Sequence, residues 1–172
     1  MFPAAFMPGG LLSGAARLRQ ITKSMPLTVS NATGSIVAFT VTGTVAIYAL
    51  WAEVTTAISS NHTAGFLRLN DQTATIDITL NTGIVLSSLL PGTIIYKESL
   101  TAVALNLLSN ANAFFEEPAS AGQPFASPFI VGKKTAAVTT IDYRYATTNT
   151  PSTGALLWNA LYLPLSQDGA LS

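Results

Sequence analysis

Cysteine is absent from the 172 residues. That excludes disulfides, thiolate metal sites, iron–sulfur ligation and a cysteine nucleophile. The chain has a single histidine, His62. One imidazole cannot build a multi-histidine metal site. A Ser–His–Asp arrangement would have to use it, and no Gly-x-Ser-x-Gly elbow supplies the nucleophile. His62 sits in a polar Asn-His-Thr stretch, so a solvated loop position is expected. Charge is also scarce: Asp, Glu, Lys and Arg make up 9% of the chain. Typical soluble domains carry about 25%.

The few acids are Glu53, Asp71, Asp77, Glu98, Glu116, Glu117, Asp142 and Asp168. Glycoside hydrolysis needs two carboxyls facing each other across a cleft. Glu116 and Glu117 are adjacent, and in extended chain they point to opposite sides. Asp77 and Asp142 fall on strand faces expected to be wet, within reach of Arg144 or Lys97, where surface ion pairing is the simple account. No Asp-x-Asx-x-Asx-Gly calcium loop is present, and Gly9-Gly10 lacks the Gly and Lys pattern of a phosphate cradle. Lys133-Lys134 reads as a solvated turn. The sequons at Asn31 and Asn61 matter only in a secreted eukaryotic protein. These absences point away from an enzyme, and no cofactor or metal is expected.

What the chain does contain is apolar residues, at 49%, and 22 threonines. Threonine is stiff at χ1 and suits a pleated surface. A surface this poor in charge suits cover by partners. The alternative is a secreted protein with a neutral, hydroxyl-rich face. Net charge is zero, so the chain as a whole does not read as a nucleic-acid binder. Residues 1–25 hold Arg17, Arg19 and Lys23 and no acid, +3; the rest holds five bases and eight acids, −3. Such a basic segment suits docking on an acidic neighbour or on another copy, or it is a solvated tail. Its bases follow the apolar stretch rather than precede it, unlike a signal peptide.

Residues 1–26 read as an arm, in which Leu11 to Lys23 permits a short amphipathic helix with Leu11, Ala15, Leu18 and Ile21 or Thr22 on one face. Residues 27–172 read as one β-sandwich domain. The uncharged run Ser35 to Ala52 is long enough to test against a membrane helix, but its apolar residues alternate at period two, which is strand spacing. Gly43 interrupts the run, so the expectation is two strands, Ser35–Thr42 and Thr44–Thr56, or one long bent strand with a bulge at Gly43. Further strands are expected at Phe66–Leu69, Ala74–Leu80, Ile84–Leu86, Thr93–Lys97, Val138–Tyr145 and Leu156–Leu163. Turns fall at Asn70-Asp71-Gln72 and Pro91-Gly92. Leu100 to Leu108 permits a short helix or an irregular stretch, and about 109–128 reads as a long loop. The fold class is therefore all-β: a two-sheet β-sandwich or jelly-roll-like barrel with an extended N-terminal arm.

Three segments carry a resemblance: Phe39-Thr-Val-Thr-Gly-Thr-Val45, Phe66-Leu-Arg-Leu69 leading to Ala74-Thr-Ile76, and Leu156-Leu-Trp-Asn-Ala-Leu-Tyr-Leu-Pro-Leu-Ser-Gln-Asp-Gly169. They resemble a group of small β-rich proteins of tailed bacteriophages. Those open on a similar strand and close on an aromatic strand running into Arg-Pro-Leu-Ser-x-Asp-Gly. Here Leu163 stands in the place of that Arg. The resemblance implies a structural virion protein, head-associated, that decorates or cements a capsid. Its implied partners are the major capsid protein or other virion subunits, and further copies of itself, as a trimer. No nucleic acid or membrane is implied. The assembly contacts expected are Phe2, Phe6, Leu11, Leu12, Arg17, Arg19 and Lys23. The second reading is a carbohydrate- or receptor-binding sandwich, with Trp51, Trp158 and the tyrosines stacking on sugars. Core packing is the competing account of those aromatics.

Overall fold

The structure is a computed structural model that describes residues 17–27, 33–81, 83–97, 105–108, 128–133, 137–147 and 152–172. Phe2, Phe6, Leu11, Leu12 and most of the expected loop at 109–128 lie outside them. The described residues form eleven strands in two antiparallel sheets. The first sheet joins β1 (Arg19–Pro26), β10 (Ala155–Pro164), β3 (Thr44–Thr56), β6 (Ile94–Tyr96) and β7 (Asn106–Leu108), with β8 (Phe129–Gly132) also on β3. The second runs β11 (Ala170–Leu171), β2 (Gly34–Thr42), β9 (Thr139–Thr147), β4 (His62–Asn70) and β5 (Thr75–Asp77). This is a β-sandwich, as the alternation predicts.

The core follows from that alternation. Val45, Ile47, Leu50, Ala52 and Val54 of β3 and Leu156, Trp158, Ala160 and Tyr162 of β10 face Phe39, Val41, Leu67, Ile141 and Tyr143 of the other sheet, all of them buried. Trp158 and Tyr143 meet across the gap with ring centroids 5.9 Å apart. Full burial of each large apolar side chain stabilises by roughly 1.5–3 kcal/mol.

Gly43 breaks the uncharged run as expected, at a φ of 56° that glycine adopts without strain. The Asn70-Asp71-Gln72 turn also forms. The Asp71 carboxylate accepts from the amides of Thr73 and Ala74, and Asn70 Oδ1 accepts from the Gln72 amide.

Several expectations change. Arg19–Pro26 is a strand, not part of a helix or a free arm: Ile21 and Met25 turn into the core, while Gln20, Thr22 and Ser24 turn out. The alternating run Ala74–Leu80 is a strand only over Thr75–Asp77. Beyond it the Thr79 hydroxyl accepts from the Leu67 amide at 2.9 Å, a side chain standing in for the ladder. Asp142 and Thr140 are on the outward side of β9 but are 4% and 5% exposed rather than wet. β9 is the central strand of its sheet, and Val37 and Arg68 flank Asp142 in register. No helix of the described residues is long and apolar enough to cross a membrane.

Candidate functional site

The basic residues expected to make assembly contacts are split by the fold. Arg17 is exposed just before β1. Arg19 and Lys23 are on β1, opposite Tyr162 and Trp158 in register. They therefore share the inward side with Ile21 and Met25. β1 is the last strand of its sheet. Charged side chains on the inward side of an edge strand block the addition of a further strand. On this eight-residue edge strand Arg19 is exposed and Lys23 half-buried.

His62 is not in a solvated loop. It opens β4 and is wholly buried. Its Nδ1 is 3.0 Å from Ser152 Oγ and its Nε2 2.5 Å from Tyr143 Oη. A neutral imidazole donates through one nitrogen and accepts through the other, and two hydroxyls satisfy that in either tautomer. Ser59 Oγ donates to Ser152 Oγ at 3.3 Å and accepts from the Thr153 amide at 3.1 Å. The Tyr143 ring lies nearly parallel to the imidazole, and Gly65 makes room beside it. A Cβ on Gly65 would lie 2.5 Å from Tyr143 Oη. Burial lowers the histidine pKa to about 4 and pushes the Tyr143 phenol well above its usual range. Ser152 and His62 resemble a nucleophile and its base, and both are 0% exposed. The group works as a clamp. It ties β4 and β9 to the turn that feeds β10.

The outer face of the second sheet carries the Arg68–Asp77 ion pair at 2.6 Å and Asn70 donating to Asp142 Oδ2 at 3.1 Å. Asp142 Oδ1 and Thr140 Oγ1 are buried without a partner. Among the described residues no three of His, Asp and Glu come together as a metal-binding group.

The aromatics divide cleanly. Trp158 is core. Trp51 is half-buried on the outer face, between Asn159 and Tyr96 in register. Asn159 is already occupied, since its amide oxygen accepts from Thr22 Oγ1 at 2.7 Å.

The two most distinctive segments of the resemblance meet in space. The Thr44 amide donates to Ser166 Oγ at 2.8 Å, and Ser166 Oγ donates to Asp168 Oδ1 at 2.8 Å. Gly169 returns its amide to the Ser166 carbonyl at 3.0 Å. A Cβ on Gly43 would collide with Ser166 and Asp168. The Ser-x-Asp-Gly turn is therefore a latch over the β2–β3 bend.

No model of a known protein family, no curated protein and no solved structure matches the chain.

Among the described residues several large apolar side chains are exposed, Ile130 and Val138 among them, and four fall on one stretch of chain. Ile76, Leu80, Val85 and Leu90 are large side chains 38% to 63% exposed. They lie on the stretch that leaves β5, bridges to Gly65 at Ile84, crosses the side of the sandwich and returns along β3 as β6. Periodicity does not reveal this wall, because the stretch is irregular. Its signal in the sequence is the absence of charge from Ile78 to Tyr96.

Proposed function

We propose that this chain is a structural protein of a tailed-phage particle that decorates or cements the capsid through subunit contacts. The observation that carries the proposal is the latch. The residues responsible for the resemblance, Gly43 and Thr44 on one side and Ser166, Asp168 and Gly169 on the other, form one structural unit. A resemblance made of turn residues that need each other speaks for a shared scaffold more strongly than scattered apolar matches do. The charge-poor surface supports the same reading. A domain meant to be covered has little use for solvated charge, and it exposes apolar groups where its partners sit.

The test is image reconstruction of the particle whose genome encodes the chain. Density for the sandwich in repeated copies on the shell is expected. A particle that contains the protein nowhere overturns the proposal.

A glycan-binding reading draws on one observation, the outward Trp51 beside Tyr96 on adjacent strands. Specific binding on a glycan array, abolished by Trp51→Ala with the fold retained, would favour it over the capsid role.

A further inference from the structure

We propose that His62 is an acid-sensitive catch: when its ring takes up a second proton, Ser152 and Thr153 come away from Ser59 while the two sheets stay paired. The inference stands apart from the virion role and does not depend on it.

The catch sits where β3 and β9 end and β4 and β10 begin. The wholly buried ring is held between Ser152 Oγ, 3.0 Å from Nδ1, and Tyr143 Oη, 2.5 Å from Nε2. The two sides are not equally fixed. Tyr143 is on the central strand of its sheet, paired with β2 and β4, and its ring also meets Trp158 in the core. Ser152 lies outside the named strands and is tied back through Ser59. The Ser59 amide donates to the Thr153 carbonyl at 2.9 Å, and the Thr153 amide donates to Ser59 Oγ at 3.1 Å. Ser59 Oγ donates to Ser152 Oγ at 3.3 Å. These bonds join two short segments outside the ladders, so this is the side that yields.

Hydrogen-bond accounting gives the trigger. With a neutral ring, one hydroxyl donates to the imidazole and the other accepts from it. A second proton makes both ring nitrogens donors. The hydroxyl that had donated then loses its acceptor inside the core, and the ring brings in a charge with nothing to balance it. Residues 54–67 and 145–167 contain no Asp, Glu, Lys or Arg. Arg68, Asp142 and Arg144 of β4 and β9 alternate with inward residues and lie on the outer face. The titratable groups that face the ring are the phenols of Tyr143 and Tyr145, with centroids 5.8 and 5.9 Å away, and neither supplies a counter-charge in acid. Opening the Ser59 side lets water accept from the charged ring. Burial lowers the ring's pKa to about 4, against 6.5 once it is open. Closure is therefore complete above pH 6.5 and is lost as pH falls toward 4. Between pH 7 and 4.5 the open fraction rises about fiftyfold.

The experiment is amide hydrogen exchange by NMR on the full chain, corrected for the intrinsic pH dependence of exchange, for wild type and His62→Gln. Gln stays neutral and can both donate and accept. The expected result is protection at Ser59 and Thr153 that falls about fiftyfold between pH 7 and 4.5, while amides in the middle of β3 and β9 keep theirs. In His62→Gln that fall is absent. Loss at the joint and in mid-strand together overturns the inference, because acid would then act only through unfolding of the whole domain. Unchanged protection at the joint overturns it as well, and so does an equal fall in His62→Gln. Should the variant fail to fold, the wild-type ring decides. The loss of protection is expected to level off at the pH where the imidazole itself titrates, and levelling at another pH overturns the inference.

Discussion

His62 makes the stability of the fold depend on pH. Its pKa falls from 6.5 in the unfolded chain to about 4 in the fold, because burial disfavours the charged ring. Between those values the unfolded state binds the extra proton, so stability is fully present above pH 6.5 and is lost as pH falls toward 4. The full effect is about 3 kcal/mol at 1.36 kcal/mol per pH unit. Urea unfolding at pH 7, 5.5 and 4.5 is expected to show this slope, and His62→Gln to flatten it at a lower plateau. An equal slope in the variant would assign the acid sensitivity to the carboxylates. The sequence hid this residue. Asn61 and Thr63 make its surroundings look solvated, while Tyr143 and Ser152, which bury it, are 81 and 90 positions away. The two tryptophans were only half legible for a related reason: alternation places each on a face but does not say which face is inside. Acrylamide is expected to quench Trp51 and to spare Trp158, so Trp51→Phe should leave an emission that is blue-shifted and hardly quenched. Strong quenching in that variant would mean that the core admits the quencher at Trp158.

Among the elements, the long strands were readable and the short ones were not. β2, β3, β9 and β10 run for 9 to 13 residues, long enough to show a stretch of alternation, as in β9, or a continuous apolar run ended by a proline, as in β10. β8 has four residues and β11 two, and neither has room for a pattern. β1 was misassigned for a different reason. Leu18 and Ile21 fit a helical stripe running from Leu11, and only pairing with β10 along all eight residues settles it as a strand. The latch between the β2–β3 bend and the Ser-x-Asp-Gly turn joins segments more than 120 residues apart. Gly43→Ala adds a left-handed backbone to a collision with Ser166 and Asp168, and is expected to cost about 1–3 kcal/mol. Asp168→Ala removes one hydrogen bond from an exposed carboxylate and is expected to cost about 1 kcal/mol or less. Denaturant midpoints measure both. A Gly43→Ala protein as stable as the parent would mean that the bend can move off the turn.

At the scale of the molecule, the two-sheet sandwich was legible because an all-β chain with one wet and one buried side per strand has few other ways to close its core. The boundary between arm and body was not, and it decides how the N-terminal segment can be tested. Deleting residues 1–26 removes β1, uncovers one side of β10 and takes Met25 from the core. That chain is expected to lose several kcal/mol or to aggregate, since loss of a buried Met side chain alone costs about 2–5 kcal/mol. Deleting residues 1–16 leaves β1 in place and is expected to leave the unfolding midpoint unchanged. It removes Phe2, Phe6, Leu11 and Leu12 together, while Arg17, Arg19 and Lys23 remain. The shorter deletion therefore isolates attachment from folding. If the apolar end of the segment lies across a neighbouring subunit, particles assembled with the 17–172 chain should carry fewer copies, or release them at lower denaturant, while the free protein melts as before. Equal occupancy by 17–172 would take those four residues out of the assembly. A full-length chain and a 27–172 chain of equal stability would show instead that the sandwich closes without its edge strand, and that Arg19–Pro26 is free to act as an arm.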